Sequence, residues 1–137
     1  MILVDANVVM YAAGAAHPNK APSLGLLERI AGGEVEAAVD AETLQEILHR
    51  YRAIRRWQDG RRVYDLTRRL FPSVVPITAQ VLDRARGLLD ADGRIMARDA
   101  LHAAVVLTQG FEAICSYDRD FDRLKGLIRV EPGTVHP

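Results

Sequence analysis

Asp5 interrupts an apolar opening, MILVDANVVMYA, with Asn7 two residues further on. A lone acid after an apolar run is often only a helix cap, so its meaning depends on whether other acids fall at equivalent places. Asp118 follows the apolar segment AICS, with Asp120 and Asp122 close behind in SYDRDFDRL. Asp99 opens ARDALHAAVVLT, the most apolar helical stretch of the chain, where a solvated acid is not expected. Glu46 lies in the second turn of the helix-like AETLQEILHRY. Four carboxylates from four separate segments repel one another when brought together, unless a cation neutralises them. Oxygen donors unaccompanied by Cys or His favour a hard ion, Mg²⁺ or Mn²⁺. Such ions contact substrate phosphates, so the chemistry suggested is metal-assisted hydrolysis of a phosphodiester, with metal-activated water as the attacking group.

The rest of the chain must bring those acids together. Residues 2–4 read as a short strand, and residues 23–30 as a helix stopped by Gly32 and Gly33. Residues 35–39 read as a second strand. Asp40 caps a helix over 41–54, whose apolar stripe is Leu44, Ile47, Leu48 and Tyr51. Asp59 opens another helix through Val63, Leu66 and Leu70, ending before Pro72. Val74 and Val75 form a third strand, and Thr78 caps a helix over 79–89. Residues 97–108 are apolar nearly all round and predict a buried helix closed by Gly110; residues 113–116 and 127–130 are a fourth and a fifth strand. Short apolar strands alternating with helices imply right-handed β-α-β units. The expected fold is a three-layer α/β/α sandwich around a central, mostly parallel sheet of four to five strands. Ligands of such sheets bind beyond the carboxyl ends of the strands, where Asp5, Asp99 and Asp118 fall. Glu46 lies opposite the apolar stripe of its helix, and serves only if that side turns toward the cleft.

Length and composition narrow the class. A chain of 137 residues predicts one domain over 1–137. No apolar stretch approaches the roughly 20 residues that span a bilayer, and the N-terminus lacks the basic, then apolar, pattern of a signal peptide. Cys115 is the single cysteine, which rules out an internal disulfide and fits a reducing cytoplasm. The 18 basic and 18 acidic residues cancel, which argues against a generic nucleic-acid binder. Their distribution is uneven: 16 of the 18 basic residues are arginine, and eight of these lie between Arg50 and Arg69. That stretch is either a solvated helix face or a phosphate-reading surface, for which the planar fork of arginine suits better than lysine.

Here the motifs carry a resemblance. MILVDANVVMYA, AETLQEILHRY, ARDALHAAVVL and ICSYDRDFDRL occur in the order and spacing of the PIN-domain ribonucleases, and the chain resembles most the VapC-type toxins of toxin–antitoxin pairs. The resemblance covers nearly the whole chain. It implies a Mg²⁺- or Mn²⁺-dependent endoribonuclease, usually a homodimer, silenced by a cognate antitoxin. By position, Asp5, Glu46, Asp99 and Asp118 match the family's acidic quartet, with Asp5, Asp99 and Asp118 as metal ligands. Asp120 falls where an extra acid often appears, Ser116 where the family has a small hydroxyl residue, and Asn7 where a polar residue orients the first acid or caps the next helix.

Other readings compete for the same residues. A phosphoacceptor receiver domain needs an acid after strand three, and Val75-Pro76-Ile77 supplies none. A haloacid-dehalogenase-type phosphatase wants an acid where Asn7 stands. The alternative kept open is a non-catalytic RNA- or protein-binding domain of the same fold. His102 reads as a hydrogen-bonded core histidine, His49 as surface, Cys115 as inert packing and Trp57 as an interface or partly buried residue in preference to a base-stacking one. An antitoxin segment is expected to land on an apolar groove beside the early helices, including Tyr11 and residues 24–27.

Overall fold

The computed structural model describes residues 1–136; Pro137, the last residue of the expected domain, lies outside them. Five strands, β1 (Ile2–Val4), β2 (Ala37–Asp40), β3 (Val74–Val75), β4 (Ala113–Cys115) and β5 (Arg129–Val130), alternate with six helices. These are α1 (Ala6–Ala13), α2 (Lys20–Ala31), α3 (Ala41–Ala53), α4 (Trp57–Leu70), α5 (Ala79–Ala91) and α6 (Ala97–Gln109). The sheet is parallel throughout, in the order β3-β2-β1-β4-β5.

Alternation along the central strands decides which helices cover which face. Ile2 and Val4 point with Ala113 and Cys115 into a core shared with Val8, Leu26, Val39 and Phe71. Leu3 and Ile114 point the other way, against Val81 and Ala85 of α5 and Ala100, Ala104 and Val105 of α6. This gives the three layers: α1, α2 and α4 on one side, α5 and α6 on the other. A smaller cluster of Val9, Ile47, Tyr51 and Val63 ties α3 to α1 and α4. At this contact Gly60 lies so close to Tyr51 that a Cβ there would overlap the Tyr51 side chain, which fixes the angle between α3 and α4.

The elements depart from sequence expectation in physically intelligible ways. The second strand begins at Ala37 and includes Asp40, because the turn through Gly33 (φ +78°) and the backbone bonds of residues 34 and 35 to Arg29 absorb Val35. Helix α2 starts at Lys20, since Pro22 in its first turn needs no N–H partner. Helix α4 starts at Trp57, after Arg55 turns the chain with φ 59°. The expected stripe of α3 is displaced: Thr43, Ile47 and Tyr51 are buried, whereas Leu48 is 38% exposed.

From β1 the chain winds outward to β2 and β3, then crosses back through α5 and α6 to β4 on the other side of β1, so the winding reverses between β1 and β4. The crevice at such a reversal is where ligands bind in open α/β sheets. Asp5 follows β1, Asp40 ends β2 and Asp118 lies three residues past β4, so the topology places three acids at that crevice.

Candidate active site

Asp5 occupies the N-cap position of α1 without making a side-chain capping hydrogen bond. Its Oδ2 instead accepts a 2.7 Å hydrogen bond from the buried Ser116 Oγ. Ser116 Oγ in turn accepts from Asn7 Nδ2 and from the Asp118 backbone N–H, each at 3.0 Å. One hydroxyl thus spends its donor and both lone pairs tying the ends of β1 and β4 together. Asn7 completes the tie by accepting from the Tyr117 N–H at 3.4 Å.

Glu46 reaches the same place from α3. The helix has a second face, Glu46, His49, Arg50 and Ala53, at helical spacing, and this face lines a cleft of about 340 Å³ together with Asp5 and Asp99. Asp118 and Arg98 also line it. The structure therefore brings Asp5, Glu46, Asp99 and Asp118 to one cleft, with Asn7 on its wall. Asp120 is exposed at the margin, donating its backbone N–H to Asp118 Oδ1 at 2.9 Å. A carboxylate oxygen from each of Asp99, Asp118 and Asp120 lies within 4.8 Å of the others, as do donor atoms of Asp5, Glu46 and His102.

Two residues of the site were given lesser parts by sequence reasoning. His102 is fully buried, its Nδ1 2.7 Å from Asp40 Oδ2 and its Nε2 3.2 Å from Glu46 Oε2. The same Nε2 lies 3.5 Å from Asp5 Oδ1. Asp40 caps α3 as expected, accepting from the Thr43 N–H at 3.0 Å, and also anchors His102. The available signal was its place at the carboxyl end of β2, the edge on which the other acids were counted. His102 is the hydrogen-bonded core histidine that its setting on an apolar helix suggested.

Electrostatics divide the site. Burial raises the pKa of Asp5, while His102 and the Ser116 hydroxyl pull it back. Asp99 is raised from 3.8 to about 7 by burial first and then by repulsion from Asp118 and Asp5. Burial opposes a charge on His102, but Asp40, Glu46 and Asp5 overcome it and hold its pKa well above 6.5. Burial pushes the Cys115 thiol up to about 12, so it is inert, as its place in a buried strand suggested. The oxygen-rich donors on the cleft, with Asp99 lacking any hydrogen-bonded or ion-paired partner among the described residues, fit a hard divalent cation.

An all-parallel five-stranded α/β/α sandwich with acids at the switch point is the architecture of a PIN-type domain, and the PIN domain family profile matches residues 2–127. Ribonuclease VapC13 of Mycobacterium tuberculosis is 40% identical over 130 residues, spanning 95% of this chain and 99% of the relative. The chain belongs to the PIN-domain family, in its VapC ribonuclease branch. The same fold recurs in FitAcB from Neisseria gonorrhoeae, with a TM-score of 0.75 at 16% identity over 98% of this chain and 100% of that one. It recurs also in a toxin–antitoxin complex from Klebsiella pneumoniae, with a TM-score of 0.68 at 16% identity over 96% and 98%.

Proposed function

We propose that this chain is a Mg²⁺- or Mn²⁺-dependent endoribonuclease, a single cytoplasmic domain that acts as the toxin of a toxin–antitoxin pair. The observation that carries this is the meeting of Asp5, Glu46, Asp99 and Asp118 in one cleft at the sheet's reversal point. Asp5, Asp99 and Asp118 hold the cation, and Glu46 completes the cluster or positions the attacking water. Ser116 and Asn7 keep Asp5 turned into the cleft, and Asp120 supports Asp118 through its backbone. When bound, the metal lowers the pKa of water and neutralises charge building on the phosphate and the leaving oxygen. Arg50 and Arg98 stand at the cleft mouth, where their guanidinium groups suit phosphate oxygens. The further arginines of α3 and α4 are exposed beyond them. RNA as substrate is supported by the ribonuclease name of the 40%-identical relative.

A basic side chain from an antitoxin could neutralise the cleft in place of a metal. The Klebsiella toxin–antitoxin complex of like fold is in keeping with such a partner. An apolar groove lined by Val9, Ala13, Leu24, Leu27, Leu66 and Leu70 offers a landing surface for it. Tyr11 is not part of that groove; it packs edge-on against Tyr117. We also expect a homodimer, which light scattering of the purified protein checks. No helix among the described residues is long and apolar enough to cross a membrane.

The deciding experiment incubates purified protein with tRNA, rRNA and single-stranded RNA in Mg²⁺, Mn²⁺ or EDTA, and maps the ends. Cleavage that needs the metal and leaves 5′-phosphate and 3′-hydroxyl ends is expected. Cleavage in chelator or a cyclic phosphate product overturns the metal mechanism, and no cleavage of any RNA returns the chain to a non-catalytic binding domain of the same fold. Expression alone should slow growth, and co-expression of the adjacent small open reading frame should restore it. Harmless expression and no co-purification would end the toxin assignment and leave the nuclease reading standing.

A further inference from the structure

His102 is the one fully buried ring that touches the acidic site, and it does not line the cleft. It projects from α6 one turn beyond Asp99 and spans the space between β2 and α3. Asp40, itself fully buried, is held from the other side by the Thr43 N–H. With Nδ1 at 2.7 Å from Asp40 Oδ2, the plane of the imidazole is fixed. The opposite nitrogen then has one direction, toward Glu46 Oε2 at 3.2 Å with Asp5 Oδ1 at 3.5 Å beside it.

Glu46 depends on this contact. Its side chain has three rotatable bonds, and its other charged partner is Arg98 at 3.8 Å, itself 60% exposed, a pair of the kind that fixes little. Burial leaves His102 no face open to the cleft, so the ring has no route to a phosphate. A buried carboxylate bonded to one ring nitrogen fixes the plane of the ring, as carboxylates behind metal-bound histidines do, and so fixes where the other nitrogen points.

We propose that Asp40 and His102 form a buried positioning couple that sets the Glu46 carboxylate at the cleft, and that His102 acts on the reaction through Glu46 and is not itself a metal ligand. The inference rests on the nuclease reading. It makes α6 responsible for two elements of the site at once: Asp99 directly, and Glu46 at one remove.

His102→Leu would strand the Asp40 carboxylate in the core, so Asp40→Asn is the variant of choice, with His102→Gln as the second. Asparagine caps a helix as well as aspartate, and a thermal melt verifies that each variant folds. Asp40→Asn should lower kcat by about 10- to 100-fold with little change in KM for RNA. Added to Glu46→Gln, it should cost less than about twofold more, because both changes remove one arrangement. Calorimetric titration of the RNA-free protein with Mn²⁺ should show the same pattern: both single variants weaken binding by a similar factor, and the double variant adds nothing. In ¹⁵N-histidine NMR without metal, the His102 ring N–H should be protected from exchange in the parent and unprotected in Asp40→Asn.

Multiplying effects of Asp40→Asn and Glu46→Gln would overturn the proposal, as would parent-like kcat in Asp40→Asn. Complete loss of Mn²⁺ binding in His102→Gln would make His102 a ligand and overturn it too. If the parent protein cuts no RNA, the nuclease reading falls, and the Mn²⁺ cycle alone then decides whether the couple positions Glu46.

Discussion

Asp5 and Asp99 line one cleft from different elements, the end of β1 and the first turn of α6, and their surroundings differ. Asp5 sits in a web: Ser116 donates to it, Asn7 and the Asp118 N–H hold Ser116, and His102 lies beside it. Asp99 makes no hydrogen bond or ion pair among the described residues, and burial and two neighbouring acids raise its pKa to about 7. Asp118 spends one oxygen on the Asp120 N–H and offers Asp99 repulsion. The protein has therefore built a rigid, satisfied half and left an uncompensated half. A satisfied carboxylate defines where a cation sits, and an uncompensated one supplies the drive to bind it, since the repulsion is relieved only when the cation arrives.

The largest expected effect comes from removing charge on the uncompensated side. Asp99→Asn keeps shape and deletes a ligand, so RNA cleavage should fall by orders of magnitude while the metal-free melting temperature rises. Asp5→Asn should lose activity as heavily without the same gain in stability, because it also disturbs Ser116 and His102. Equal melting shifts for the two variants would erase the difference between the halves. Parent-like cleavage by either would return that residue to the role of a helix-terminal acid.

Ser116→Ala tests the satisfied half. It leaves Asp5 Oδ2, Asn7 Nδ2 and the Asp118 N–H each short of a partner. The cost in stability should be about 1–3 kcal/mol by denaturant unfolding, and turnover should fall about 10- to 100-fold as Asp5 loses its orientation. A variant as stable and as active as the parent would mean that the web is incidental.

The halves should also separate by pH. In the metal-free protein Asp99 titrates near 7 when folded but at its ordinary 3.8 when unfolded. Between those values the folded state holds a proton that the unfolded state has lost, so stability falls as pH rises through the window. His102, also raised, adds in the same direction above 6.5, its contribution being lost as pH rises through its folded pKa. Thermal melts in EDTA at about pH 5 and about pH 8 should show the loss, saturating Mn²⁺ should reverse it, and Asp99→Asn should lessen it, leaving the share of His102 and the buried Asp5. A flat profile in the parent would refute an uncompensated acid.

Much of this arrangement is legible in the residues alone. Short apolar strands, each followed by a helix, dictate a parallel sheet, and the edge rule then puts Asp5, Asp99 and Asp118 together. Glu46 was ambiguous because α3 is amphipathic in two senses: Thr43, Ile47 and Tyr51 meet the core, while Glu46, His49, Arg50 and Ala53 meet the cleft. A helical wheel shows that Glu46 is off the apolar stripe but not what stands opposite it. The Asp40–His102–Glu46 chain was out of reach for a different reason. Its members lie up to 62 positions apart, and only packing of α6 across the ends of β2 and α3 makes them touch.

The arginine face gives the smallest expected effect and sharpens the comparison from outside the cleft. Arg61, Arg62, Arg68 and Arg69 on α4 are exposed, and Asp59 lies 3.9 Å from Arg62 while it binds Arg56 at 2.7 Å. Arg52 stands over the Trp57 ring at 4.7 Å, an interaction that orders one exposed guanidinium on α3. If these groups read phosphates, Arg61→Ala with Arg62→Ala should weaken RNA binding without changing turnover at saturating RNA. The slope of log affinity against log salt should become shallower by about 0.7 for each phosphate that the variant no longer neutralises. Arg50→Ala, at the cleft mouth, should instead alter KM and kcat together. An unchanged salt slope in the α4 double variant would leave that face a solvated surface, its arginines serving to cover the apolar side of the helix.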